Sequence, residues 1–506
     1  MSDPANLFGL ILSRAPTVAS APLLEAGSRT YAWRDMDEAS ARYARVLTDG
    51  GLRKGDRVAV QVEKSPQSLF LYLACLRAGL IYLPMNTAYR GEEVDHLVGN
   101  AEPAAVVCAP EAETTRDIAV RHGAALVLTM DADGGGDLAE AATASRPEFP
   151  PLEVSPDDVA AILYTSGTTG RPKGAMLSHR NLTANGEALR RSWGFTADDV
   201  LLHALPLFHA HGLFVACHCV LLAGARMLWL PAFDRRRVIE SLGRATVFMG
   251  VPTYYTRLLA DPDLTHERCA GVRLFVSGSA PLLPETFEAF RRRTGHAILE
   301  RYGMTETGMN TSNPLRGERR AGTVGPPLPG VSVRVTDETG AVLADGAVGM
   351  LEVRGDNVFS GYWRMPERTA LDVTADGWFI TGDLAVIEDG GYVRLVGRAR
   401  DLIITGGYNV YPKEVETVID AIDGVVESAV IGLPHPDFGE AVTAVVHRLA
   451  DRDTPDEPSV IAHVRARLAD YKVPKRVVFV PELPRNAMGK VQKTQLRADC
   501  EGLYPA

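Results

Sequence analysis

The segment Tyr164-Thr-Ser-Gly-Thr-Thr-Gly-Arg-Pro-Lys173-Gly places three glycines, five hydroxyl side chains and two cations in one short stretch, directly after the apolar run Val159 to Leu163. Glycines let a backbone approach a bulky anion, hydroxyls donate hydrogen bonds, and Lys173 adds charge. A loop of this composition grips phosphates. It is not a Walker loop, because Lys173 follows Pro172 and precedes Gly174, so the G-x-x-x-x-G-K-[ST] spacing fails. The plain alternative is a surface hairpin rich in turn residues.

Composition narrows the field. At 506 residues the chain can bury a large core and is expected to divide into at least two domains. A formal charge of −10 excludes the basic face that nucleic-acid binding needs. The six cysteines show no disulfide rhythm and suit a reducing cytosol. Cys217-His218-Cys219 fits no common zinc spacing and falls in Phe214 to Leu222, which reads as a buried helix. Met1-Ser-Asp-Pro-Ala-Asn lacks a basic signal region, and no apolar run reaches the roughly 18 residues that span a bilayer. A cytoplasmic, soluble protein with no membrane partner is expected.

The elements that must position this chemistry follow a βαβ rhythm. Arg57 to Val62, Pro66 to Ala78 and Leu80 to Pro84 read as strand, helix and strand; so do Ala104 to Cys108, Thr114 to His122 and Ala124 to Thr129. Val272 to Val276, Pro284 to Thr294 and Ala297 to Glu300 repeat the unit. This predicts an α/β fold with a mainly parallel sheet. From Val331 the runs VSVRVTD, GMLEVRG and GYVRLVG predict a small antiparallel or barrel-like sheet. After Arg400 a compact α+β stretch follows, with helices at Pro412 to Ala421 and Ser459 to Ala469 and strands at Val425 to Ile431, Ala441 to Arg448 and Val477 to Val480. The domain boundary is expected at Arg400-Asp401.

Further along come Ser277-Gly-Ser-Ala-Pro281, Arg301-Tyr-Gly-Met-Thr-Glu-Thr307, Thr381-Gly-Asp383, Gly397-Arg398-Ala-Arg-Asp401, Gly406-Gly-Tyr-Asn409 and Pro484-Arg-Asn-Ala-Met-Gly-Lys490. In this order, over essentially the whole chain, they resemble the adenylate-forming superfamily of acyl-CoA synthetases, peptide-synthetase adenylation domains and luciferases. The resemblance implies an N-terminal domain, residues 1–400, holding ATP and acyl sites, and a mobile C-terminal domain, residues 401–506, carrying a catalytic lysine. It implies an acid–thiol ligase using ATP, Mg²⁺ and coenzyme A.

Joining a carboxylate to the α-phosphate of ATP brings two anions together, so cations and preorganised donors are required. By resemblance, Thr165, Ser166, Gly167, Thr168, Thr169, Gly170 and Lys173 would cradle phosphates. Glu306 with the Thr165 hydroxyl would hold Mg²⁺; the alternative for Glu306 is a solvated surface carboxylate. Asp383, at the end of the strand-like run WFITGD, would accept the ribose hydroxyls, with Arg398 at the ribose or phosphate. Gly278, Ser279, Ala280, Tyr302, Gly303 and Thr305 would line the nucleotide slot; plain turn chemistry is their alternative. Lys490 would reach both the acid and the α-phosphate, and acylation there would cancel its charge. Lys493 reads as a solvated charge. Asp401 would be the hinge, and the swing would bring Gly406, Gly407 and Tyr408 to the CoA channel.

Arg301 precedes the Tyr-Gly-x-Thr-Glu core, where a guanidinium suits a second carboxylate. His209, His211, Ser277 and Met304 would complete a small pocket. HALPLFHAHGLF, MGVPTYYTRLL and LERYGMTETGMNTSNP resemble the malonyl-CoA synthetases. Alternatives stay open: Arg301 paired with Glu300 or Glu306, His209 as a packed gate, methylmalonate, propionate or a thioether acid as substrate, or a catalytically silent nucleotide-binding protein. Transfer to a carrier protein is disfavoured because no carrier domain follows Ala506.

Overall fold

The computed structural model describes residues 4–165, 172–449, 455–486 and 489–504. Four sheets organise them. The first has six strands in the spatial order Leu126–Thr129, Ala105–Cys108, Arg57–Gln61, Ile81–Pro84, Val159–Thr165, Lys173–Ser178. All pairings are parallel except the last, which is antiparallel. Ile81–Pro84 and Ala105–Cys108 are buried along their whole length, as parallel strands covered on both faces must be. The intervening helix Pro66–Arg77 starts where Ser65 accepts from the Ser68 amide and Pro66 occupies the first turn.

The second sheet has eight strands, in the order Gly308–Ser312, Leu299–Met304, Leu274–Ser277, Val247–Gly250, Val200–His203, Arg226–Trp229, Pro22–Ala26, Arg29–Ala32. Its six central strands pair in parallel and only its two outer pairings are antiparallel. The third is an antiparallel sheet of four strands, Val331–Thr336, Gly349–Gly355, Phe379–Glu388 and Tyr392–Arg398. Its end strands are not paired with each other, so it is open. After the 3-10 turn Ala399–Asp401, a five-stranded mixed sheet carries the helices Pro412–Asp420, Glu457–Arg465 and Lys493–Asp499.

Asp383 departs from expectation. It lies inside the ten-residue strand Phe379–Glu388 rather than at its end, next to Gly382, whose φ of 73° puts an irregularity in mid-strand. Phe214 to Leu222 is buried as expected, but it divides between a π-helix, His211–Cys217, and an α-helix, His218–Ala223. The cysteines are unpaired, and no metal-ligating cluster is found among the described residues. No helix among them is long and apolar enough to cross a membrane.

One latch holds the second sheet at the amino ends of its parallel strands. Asp199, 3% exposed, accepts from Arg273 Nε and Nη2 at 2.7 Å and from Thr246 Oγ1 at 2.7 Å. These residues immediately precede three neighbouring strands, so the latch leaves the carboxyl ends free for a ligand. Removing one partner of a buried ion pair costs about 3–5 kcal/mol; Arg273 is 33% exposed, which places Asp199→Ala near the lower bound. Urea denaturation should show that loss.

Candidate active site

The carboxyl ends of the parallel strands face a cleft, and the sequence-marked residues gather there. Thr165 and Lys173 are cross-strand partners that close the glycine-rich loop. Ser166, Gly167, Thr168, Thr169 and Gly170 lie outside the described residues. Lys173 is buried, 4.2 Å from the Tyr362 ring centroid and 3.7 Å from Asp372 Oδ2. Burial lowers its pKa first, and Arg368 nearby adds to this. The Tyr362 hydroxyl donates to Glu306 Oε1 at 3.1 Å, so one tyrosine bridges the lysine and the carboxylate. Glu306 is 5% exposed and therefore not a solvated surface carboxylate.

Asp383 is also buried. Its Oδ1 pairs with Arg398 Nε at 2.7 Å, and its Oδ2 accepts from the Tyr302 hydroxyl. Burial works against the charge on Arg398, but Asp383 and then Tyr302 carry its pKa upward. Gly303 must be glycine: a Cβ there would lie 2.1 Å from the Gly308 carbonyl oxygen. Thr305 occupies the turn that leads to Glu306.

A second group of side chains is short of partners. Arg301 is 3% exposed, and its guanidinium lies flat against Gly278, where a Cβ would be 2.4 Å from Cζ. Glycine at position 278 is thus a space requirement. Arg301 Nε and Nη2, Ser277 Oγ, His209 Nε2 and His211 Nε2 are all buried without a hydrogen-bond partner among the described residues. Neither carboxylate offered as a partner pairs with Arg301: Glu300 takes the Leu282 amide at 2.9 Å and Glu306 takes Tyr362. Burial lowers the Arg301 pKa to about 9. His211 Nδ1 faces Ser279 Oγ at 3.2 Å, and Ser279 itself has the left-handed φ of 72°. Such strain concentrates at functional sites. Burial depresses His209 to about 3 and His211 well below the usual range, so both rings are neutral. Ala280 and Met304 are half-buried at the edges of this group.

Lys490 is reached from the other lobe. Its backbone is fixed by Asn486, whose Oδ1 accepts from the Lys490 amide at 3.0 Å. Gly489 beside it, with a φ of 73°, faces Thr253 on the helix Pro252–Leu259. The residue is exposed, yet its pKa is lowered by desolvation and then by Arg398, against the pull of Asp383 and Glu306. Asp401 Oδ1 accepts from Arg497 Nη2 at 2.8 Å. Gly406 and Gly407, with φ of 56° and 82°, make the two-residue turn between Ile403–Thr405 and Tyr408–Val410. Tyr408 is 58% exposed and stacks on Tyr471. Lys493 is not a free surface charge: its ammonium binds Glu416 Oε1 at 2.6 Å.

Tyr362, Arg368 and Asp372 were not singled out from sequence. The only hint was GYWRMPERTALD, whose turn and helix signals carry no phosphate-binding pattern.

The AMP-binding enzyme family matches residues 13–363, and the AMP-binding enzyme C-terminal domain matches residues 414–490. The chain belongs to the AMP-binding enzyme family. ATP-bound MatB from Rhodopseudomonas palustris is 53% identical, with a TM-score of 0.97 over 99% of this chain and 100% of that one. The apo form of MatB, at the same 53% identity and 99% and 100% coverage, has a TM-score of 0.86. This AMP-binding enzyme thus superposes more closely on the ATP-bound neighbour than on the apo one. A mitochondrial malonate–CoA ligase from Mus musculus is 38% identical over 85% of this chain and 78% of its own length. A feruloyl-CoA synthase from an Amycolatopsis species is 36% identical over 96% and 97%.

Glu300 provides a check on how dry this region is. Burial pushes its carboxyl up to about 8. The unfolded chain then releases this proton more readily than the folded one. The stability contribution is therefore full below about pH 4.3, the unperturbed glutamate value, and is lost as pH rises toward 8. Glu300→Gln keeps the acceptor for Leu282. Urea midpoints should show it more stable than wild type by about 1 kcal/mol or more at pH 8, with the difference shrinking as pH falls and gone near pH 4.

Proposed function

We propose that this enzyme is a malonyl-CoA synthetase in which Arg301, Ser277, His209 and His211 hold the distal carboxylate of malonate. The observation that carries the reading is the buried guanidinium with two nitrogens unmatched among the described residues, beside a hydroxyl and two imidazoles in the same condition. Buried donors without acceptors are costly, and an anion of the right size satisfies them. A feruloyl group would bring an uncharged aromatic ring to that position and leave the guanidinium without a counter-charge.

In the first half-reaction an oxygen of the malonate carboxylate attacks the α-phosphorus of ATP. The bond to pyrophosphate breaks and malonyl-adenylate forms. Lys490, between Asp383, Glu306 and Arg301 in the electrostatics of the cleft, stabilises charge on the α-phosphate and the acid. Lys173 meets the outer phosphates, Asp383 the ribose hydroxyls, and Arg398 the ribose or phosphate. Glu306 and Thr165 supply the oxygen donors that suit Mg²⁺, which when bound neutralises phosphate charge. In the second half-reaction the CoA thiol attacks the acyl carbon and AMP leaves. The lobe beyond Asp401 turns for this step, bringing Gly406, Gly407 and Tyr408 to the thiol path. The exposure of Lys490 opens it to acylation, which would remove its charge. Six free thiols suit a cytoplasmic setting.

AMP release with a panel of short mono- and dicarboxylates, with and without CoA, tests the assignment; malonate must be the preferred acid. Arg301→Ala should lose about 3–5 kcal/mol of binding to the distal carboxylate, or roughly 10²–10⁴ in kcat/KM for malonate, while propionate use falls far less. Equal losses for both acids would remove the distal-carboxylate role. Lys490→Ala should abolish malonate-dependent ATP–pyrophosphate exchange and spare thioester formation from preformed malonyl-adenylate. Comparable loss of both half-reactions would place Lys490 elsewhere.

A further inference from the structure

Lys64 lies between the strand Arg57–Gln61 and Ser65, the cap of the next helix. Its ammonium points into the crevice between the first two sheets, 2.8 Å from His203 Nδ1, 2.9 Å from the His203 carbonyl and 2.5 Å from the Leu230 carbonyl. The Trp229 ring centroid is 4.4 Å away, and the Trp229 and His203 rings stack at 4.9 Å. Among the described residues no carboxylate pairs with this ammonium. A cation enclosed without a counter-charge is expensive, so the fold must draw something from it.

The hydrogen bonds state what. His203 Nε2 is 2.9 Å from the Gly212 carbonyl oxygen, a group that only accepts, so Nε2 carries the proton. Burial and the neighbouring Lys64 keep the ring neutral. Nδ1 therefore offers a lone pair, and the three Lys64 protons meet three acceptors. That count requires the charged ammonium. Burial draws the Lys64 pKa down, while the three acceptors and the indole face hold its proton. Gly212 belongs to the π-helix His211–Cys217, and a Cβ there would lie 1.9 Å from the Pro206 carbonyl oxygen, so this turn has no slack. One residue before it, His211 faces Ser279, with its Nε2 free of partners among the described residues.

We propose that Lys64 is a positioning residue for the acid pocket: it fixes the tautomer of His203, His203 ties down the Gly212 carbonyl, and that bond sets the His211 imidazole. The inference rests on the malonate reading only in placing His211 against the acid.

ATP–pyrophosphate exchange reads the coupling. Lys64→Met should raise the KM for malonate about tenfold or more, with the KM for ATP changed less than about twofold. In a His211→Ala background the same substitution should add less than about twofold, because both act on one group. His203→Leu should reproduce Lys64→Met. His203→Gln, whose amide can accept from Lys64 and donate to Gly212, should stay within about threefold of wild type. Equal changes in both KM values, or losses that multiply with His211→Ala, would overturn the proposal. If wild type gives no exchange with malonate, the substrate reading fails by itself. The relay is then judged without substrate, by ¹⁵N spectra of histidine-labelled protein: an altered His203 signal in Lys64→Met supports it, and an unaltered one overturns it.

Discussion

A buried cation without a protein counter-charge among the described residues is the constraint around which the cleft is arranged. Arg301 is 3% exposed and two of its nitrogens have no partner there. Breaking a buried pair ordinarily costs several kcal/mol because one charge is left uncompensated, and here the fold keeps such a charge in place. It does so with close packing. Gly278 gives up its side chain so that the guanidinium can lie on the backbone, and strand pairing on both sides, to Leu274–Ser277 and Gly308–Ser312, holds the strand that bears it. A charge held this way is costly while unpaired, and in the malonate reading that cost is what would favour a charged ligand over an uncharged one of similar size.

The division of labour within the second sheet follows from the same demand. Polar groups at the amino ends of its strands, Asp199, Thr246 and Arg273, satisfy each other. At the carboxyl ends, Ser277 Oγ and the Nε2 atoms of His209 and His211 are left without partners among the described residues. Stability and chemistry occupy opposite edges of one sheet, so the unsatisfied edge can be tolerated because the satisfied one secures strand order.

Much of this was legible in the sequence, for identifiable reasons. The helices Pro66–Arg77 and Pro284–Thr294 match their expected ranges to within a residue because proline marks each start and glycine or an apolar run marks each end. Three strands of the open four-stranded sheet were visible through alternation, in VSVRVTD, GMLEVRG and GYVRLVG. What could not be read was tertiary partnership. Nothing local to Lys493 announces Glu416, 77 residues away. Nothing in GYWRMPERT tells that Tyr362 spans Lys173 and Glu306. Asp383 looked terminal because Gly382 reads as a stop, whereas the sheet absorbs that glycine as an irregularity and continues.

The four cations of the cleft differ in how firmly the protein already holds them, and that ordering suggests when each acts. Arg398 is committed to Asp383 at 2.7 Å and behaves as part of the frame. Lys173 has a looser hold, 3.7 Å from Asp372 with an aromatic face beneath it, an arrangement that an incoming phosphate can outcompete. Arg301 is fixed in place with two nitrogens unpartnered among the described residues, open to an anion. Lys490 is exposed on a loop of the second lobe, so its charge is delivered by the position of that lobe. A charge fixed in the large lobe can select a substrate but cannot leave it; one carried on the small lobe can assist a step and then withdraw. A reaction that must first gather negative charge and afterwards admit a thiol at the same carbon needs one of each kind.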